Sequence, residues 1–113
     1  EGSGYHFIVY REGEQVLGYA IYGFRDLTDG VYDLYWIAVD PSARRKSVGR
    51  KLLTACEETV RAEGGRMVIA ETSGTAEYEP TREFYVRTGY KAEAVIKDFY
   101  KPGDDLYIFI KRI

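Results

Sequence analysis

The stretch VDPSARRKSVGRKLL, residues 39–53, sets the reading of the whole chain. It joins an apolar, β-branched run to a run of helical period through a short turn holding Arg44, Arg45 and Lys46. Pro41 cannot donate to a strand ladder and stops the sheet there. From Val48 the apolar spacing changes. Val48, Leu52, Leu53, Cys56 and Val60 share one helical face, while Arg50, Lys51, Glu57, Glu58 and Arg61 fall largely elsewhere. A helix start exposes unpaired N–H groups and a partial positive charge. Cations placed there oppose the dipole, unless an anion is bound. The turn alone therefore leaves two readings open: a solvated basic helix start, or an anion site.

Working outward, YHFIVYREGEQVLGYAIYG reads as two strands, at residues 5–10 and 16–22, joined by turn chemistry at Glu12-Gly13. VYDLYWIAV, residues 31–39, reads as a strand apolar on both faces at its end, hence central and buried on both sides. Gly64-Gly65 ends the helix that starts at Val48. RMVIAET is a fourth strand, SGTAEYE a polar loop, and Pro80 the opening of a short helix closed by Gly89. YKAEAVIKDFY and DLYIFIKRI are two last strands about the Pro102-Gly103 turn. The order β-β-β-α-β-α-β-β predicts an α/β class fold, an α+β mixed sheet. Its central β-α-β is a parallel pair with a right-handed crossover.

The chain has 113 residues, enough for one domain over residues 1–113 with a modest core. Its net charge of −2 argues against a general nucleic-acid binder, although five cations over residues 44–51 would suit phosphates. The single cysteine, Cys56, allows no intrachain disulfide, which points to a reducing, cytoplasmic location. On the apolar helix face it reads as a packed thiol. With one histidine, His6, it makes no typical zinc site, so no metal is expected. No apolar run predicts a membrane span. The first residues, Glu1-Gly2-Ser3-Gly4, lack a methionine and suggest a processed or trimmed piece. The run LYIFI, residues 106–110, needs cover and predicts a homodimer through the edge formed by the C-terminal strands. Neither the P-loop nor the dinucleotide glycine pattern is present.

IAVDPSARRKSVGRKLL resembles the acyl-CoA-binding segment of the GCN5-related N-acetyltransferases (GNAT). That family's turn has the form Arg/Gln-x-x-Gly-x-Gly/Ala. Arg44 opens the pattern, Ser47 stands at the first glycine position, and Gly49 matches the second. EFYVRTGYKAEAV resembles the family's second signature, a Phe-Tyr pair followed by Gly and an aromatic residue. The resemblance implies a sheet whose two central parallel strands splay to admit acetyl-CoA. It also implies that the strand and helices usually found before the first hairpin are missing here. It implies acetyl transfer to a primary amine, on a small molecule or a peptide, by direct attack. The alternative is a catalytically weak or inactive acyl-CoA-binding scaffold of the same fold.

By the same resemblance, Tyr85 is the catalytic acid and Glu71 the base, with Asp33 a weaker candidate. Trp36 stands where some members carry an acid. Backbone N–H groups around Ile37, Ala38 and Val39 are to pair with the pantetheine arm. Arg44, Arg45, Lys46, Ser47, Val48, Gly49 and Arg50 are to hold the pyrophosphate. Ser47 replaces a glycine whose role is close backbone approach, and keeps N–H and hydroxyl donors.

Overall fold

The computed structural model describes residues 4–113, apart from the side chain of Arg45. Six strands and two α-helices make up a mixed α+β sheet fold: β1 (His6–Glu12), β2 (Gln15–Phe24), β3 (Val31–Val39), α1 (Val48–Ala62), β4 (Met67–Ser73), α2 (Glu79–Arg87), β5 (Lys91–Lys101) and β6 (Asp104–Arg112). The predicted order is therefore the observed one. Two short 3-10 turns are added, at Pro41–Lys46 and Ala76–Tyr78, where the sequence reads only as loop. No helix among the described residues is long and apolar enough to cross a membrane.

The chain divides into two compact units, Glu1–Val68 with Ile113, and Ile69–Arg112. In the first, antiparallel β1, β2 and β3 lie side by side and α1 packs on one face. Leu52, Leu53, Val48, Val60 and Cys56 of α1 are all 1% exposed or less. Burial also pushes the Cys56 thiol up to about 12, so it stays a neutral packing group. Glu57, expected on the polar face, is instead buried. It stands four residues after Leu53 and three before Val60, so the helical period carries it onto the apolar stripe.

Gly18 shows why α1 lies so close to β2. A Cβ there would sit 2.8 Å from the Ala38 carbonyl oxygen and 3.0 Å from side-chain carbons of both Val48 and Leu52.

β3 departs from expectation. Its first four residues, Val31–Leu34, are buried, but Tyr35 and Trp36 are exposed and the end is only half-buried. The cause is a register shift. Ile21 pairs with Trp36 and Tyr22 with Leu34, so Tyr35 is an extra residue. A bulge of this kind re-aims the side chains that follow it. Tyr35 packs edge-on against Tyr5 at 5.1 Å, and the sheet face away from α1 carries exposed Tyr5, Phe7, Tyr19 and Trp36.

In the second unit the strand order is β4-β6-β5. β6, which holds LYIFI, is thus an inner strand, and the outer edge belongs to β5. This corrects the expectation that LYIFI needs cover at an edge: its neighbours β4 and β5 supply partners on both sides, and Leu106 and Phe109 are buried. α2 contributes Tyr85 to a core with Tyr90 and Phe109, at ring separations of 5.4 and 5.5 Å. Gly89, with φ of +99°, ends α2 in the left-handed conformation that glycine adopts without steric cost.

Candidate functional site

The basic turn is built in the first unit. Asp40 begins it: its carboxylate accepts from the Ser42 backbone N–H at 3.1 Å and from the Ser42 hydroxyl. These bonds, the hydroxyl's first, hold the Asp40 carboxyl below the usual carboxylate range. Ala43 and Val48, both 0% exposed, anchor the turn at either end, leaving Arg44, Lys46 and Ser47 exposed between them. Ser47 has φ 61° and ψ 28°, directly after the 3-10 turn ends at Lys46. A right-handed residue followed by a left-handed one turns successive N–H groups into one concavity, a backbone nest suited to anions.

Next comes the start of α1, a 15-residue helix with no acidic side chain in its first turn. Its first turn is closed by the Lys51 N–H, which donates to the carbonyl of the N-cap residue Ser47 at 3.0 Å. The N–H groups of Val48, Gly49 and Arg50 precede that bond and have no partner within the helix. Nest, dipole and the exposed Arg44 and Arg50 all suit a pyrophosphate.

Not every predicted cation serves the turn. Lys46 Nζ pairs with Glu12 Oε1 at 3.1 Å, and Lys51 Nζ donates to the Tyr10 hydroxyl at 3.4 Å, so both are drawn to β1. The side chain of Arg45 lies outside the described residues. Ile37, Ala38 and Val39 are half-buried at the end of β3, paired on one side with Ala20, Tyr19 and Gly18 of β2. The left-handed state of Ser47 also explains why glycine suits that position. Serine costs roughly 1–2 kcal/mol there, and its side chain makes no capping bond in return. Glycine loses about 0.5–1 kcal/mol through its freer unfolded chain. Ser47→Gly is therefore expected to raise the melting temperature by a few degrees, as read by thermal denaturation. A fall would mean that the hydroxyl holds the turn.

Tyr85 and Glu71 belong to the second unit. Tyr85 is 5% exposed, its ring fixed by Phe84, Tyr90 and Phe109. The end of α2 is tied down behind it, since its carbonyl accepts the Tyr90 N–H at 2.9 Å and the Thr88 hydroxyl at 3.1 Å. Glu71 is exposed on β4. Its charge, after burial, helps push the Tyr100 phenol up, as do Asp104 and Tyr78. The sequence gives no sign of this proximity of Tyr100 to Glu71, since Phe99-Tyr100 reads only as the end of a strand. Asp33 is committed elsewhere. The Arg25 guanidinium grips it through Nε at 3.1 Å to each oxygen, with an NH2 contact of 2.6 Å, which leaves it poorly placed as a base. Arg82 is also committed, donating to the Ser73 and Thr75 carbonyls at 2.9 and 2.8 Å.

A strand-turn-helix with an anion-shaped nest, followed by a buried Tyr on a short helix, defines a class. Residues 3–92 match the profile described as Acetyltransferase (GNAT) domain. The chain belongs to the GNAT acetyltransferase family. It superposes on the crystal structure of a Desulfovibrio desulfuricans protein assigned to that family with a TM-score of 0.95. That pair is 50% identical, over 96% of this chain and 69% of the other. A Bacillus anthracis protein assigned as a streptothricin acetyltransferase, solved with acetyl coenzyme A, shares the fold at a TM-score of 0.85. It is 14% identical, over 95% of this chain and 61% of that one. The S-(2-succino)cysteine N-acetyltransferase of Bacillus subtilis (strain 168) is 39% identical over 62 residues, 54% of this chain. The match spans 37% of that curated relative's length.

Proposed function

We propose that this chain transfers the acetyl group of acetyl-CoA to a primary amine by direct attack. The observation that carries the reading is the nest at Lys46–Ser47 opening onto the free start of α1, in a member of this family. Arg44, Arg50 and the N–H groups from Ser47 to Arg50 hold the pyrophosphate. The N–H groups of Ile37 and Val39 pair with the pantetheine arm, and one donates to the thioester carbonyl oxygen. Glu71 takes the proton that the attacking amine loses. As the carbon–sulfur bond breaks, the Tyr85 hydroxyl gives a proton to the departing thiolate. The acceptor is an amine on a small molecule or a peptide. The lone buried thiol suits the cytoplasm.

One observation favours the scaffold reading. Lys46 and Lys51 spend their charge on β1, which weakens the hold on a phosphate. Calorimetric titration with acetyl-CoA, with Gly49→Trp as the control, tests the site that both readings share, and release of free CoA thiol on adding a primary amine separates the enzyme from the scaffold. Saturable binding to the native chain, lost in the variant, supports the pyrophosphate site. No binding to the folded chain rejects it.

A further inference from the structure

β1, β2 and β3 turn one face toward α1 and the other away from it. On the far face the register sets two rows across the strands: Phe7, Ile21 and Trp36, then Val9, Tyr19 and Ala38. Phe7 is 65% exposed and Trp36 57%, and Val9 and Tyr19 are exposed as well. Ala38 is the smallest of the six. It stands opposite Tyr19 and two residues along the strand from Trp36. Tyr19 and Ala38 line an open cavity of about 270 Å³, with Val16 and Asp40. An apolar cavity of about 150 Å³ accepts benzene, so this one has room for a ring.

This cavity adjoins the reacting end of the proposed acetyl-CoA site. The Asp40 N–H donates to the Leu17 carbonyl at 2.8 Å. By antiparallel alternation, the N–H groups of Ala38 and Asp40 point to β2, and those of Ile37 and Val39 point to the opposite side of β3. A thioester held by the Ile37 N–H therefore lies one residue from Trp36. The carboxylates at the two ends of the face are engaged: Arg25 grips Asp33 at 2.6 Å, and Asp40 accepts from Ser42. At the Asp33 end, Tyr35 lies over Gly23, where a Cβ would come within 3.2 Å of its ring. What this face offers an incoming amine is ring surface.

We propose that the acceptor is an aralkylamine, a primary amine with an aromatic ring one or two carbons from its nitrogen, and that Trp36 selects it. This deepens the acetyl-transfer reading above and rests on it. The acceptor's ring stacks on the Trp36 indole over Ala38, with Tyr19 beside it. Its nitrogen bonds to the acetyl carbon as the carbon–sulfur bond breaks. Nitrogen loses one proton and sulfur gains one, giving the N-acetylated amine and free CoA thiol. Aromatic pairs are stabilised beyond plain burial, so a ring is favoured over an alkyl chain. The same apolar surroundings disfavour the ammonium form and raise the share of neutral amine, the form that attacks.

Trp36 is the chain's only tryptophan, so indole emission reports on this face alone. The test titrates the whole chain with 2-phenylethylamine and with n-butylamine. 2-Phenylethylamine is expected to change the emission saturably, with n-butylamine weaker by about tenfold or more. With acetyl-CoA added, release of CoA thiol should show the same preference in kcat/KM. Trp36→Leu should bring the two amines within about twofold of each other. Ala38→Leu, which fills the recess and keeps the indole, should do the same. Saturable emission change without thiol release would support the ring site and sink acetyl transfer. Thiol release with both amines alike would keep acetyl transfer and overturn the proposal. Emission indifferent to 2-phenylethylamine, or a preference that survives both substitutions, overturns it as well.

Discussion

Tyr85→Phe is expected to slow acetyl transfer by about 10²–10³-fold while leaving acetyl-CoA affinity unchanged. The substitution removes one oxygen and keeps the ring. Contacts with Phe84, Tyr90 and Phe109 therefore survive, and the fold loses at most about 1 kcal/mol from a hydrogen bond. That separation makes the experiment informative. A structural tyrosine would lower stability and leave turnover per folded molecule alone. An acid would do the reverse. Stopped-time assays of free thiol release, paired with calorimetry, read the two quantities separately. Full turnover in the variant would take Tyr85 out of the mechanism.

Gly18→Val is expected to cost about 3 kcal/mol, which lowers the melting temperature by roughly 10–20 °C. The β-carbon alone would overlap the Ala38 carbonyl oxygen and crowd Val48 and Leu52, and the two methyl groups of valine add to it. Close-packed interiors relieve such overlap only by moving an element. Here the element is the first turn of α1, which presents the N–H groups of the proposed anion site. Acetyl-CoA affinity should therefore fall even well below the melting temperature. Thermal denaturation with and without ligand checks both effects. A variant as stable as the parent would mean that α1 can shift freely against β2.

Much of the architecture was legible because its signals are local. The aromatic and β-branched run at residues 31–39 and the period near 3.6 from Val48 name a strand and a helix. Pro41, Gly64 and Gly89 punctuate them. The turn residues 37–50 form one contiguous segment, so their grouping needed no tertiary information. What stayed hidden depends on partners. Whether β5 or β6 lies at the edge is decided by pairing order, which no single strand encodes. The burial of Glu57 follows from where the helix meets the sheet. The left-handed state of Ser47 was invisible, because serine seldom adopts it and no side-chain signal marks it. The commitment of Asp33 to Arg25, and of Lys46 to Glu12, arises from residues that fold together across 8 and 34 positions.

The bulge at Tyr35 changes the phase of β3. Tyr32 and Leu34 lie opposite Phe24 and Tyr22, whereas Ile37 and Val39 lie opposite Ala20 and Gly18. The residues turned toward α1 thus run 32, 34, 37, 39, with one step of three among steps of two. Even and odd positions exchange faces at that point. A role carried along this strand by counting from its start lands on the wrong side of the sheet after Tyr35. A chain without Tyr35 would keep Ile37 and Val39 opposite Ala20 and Gly18 and would run along β2 with an unbroken alternation. The bulge is a frame mark: residues that face α1 carry even numbers before Tyr35 and odd numbers after it.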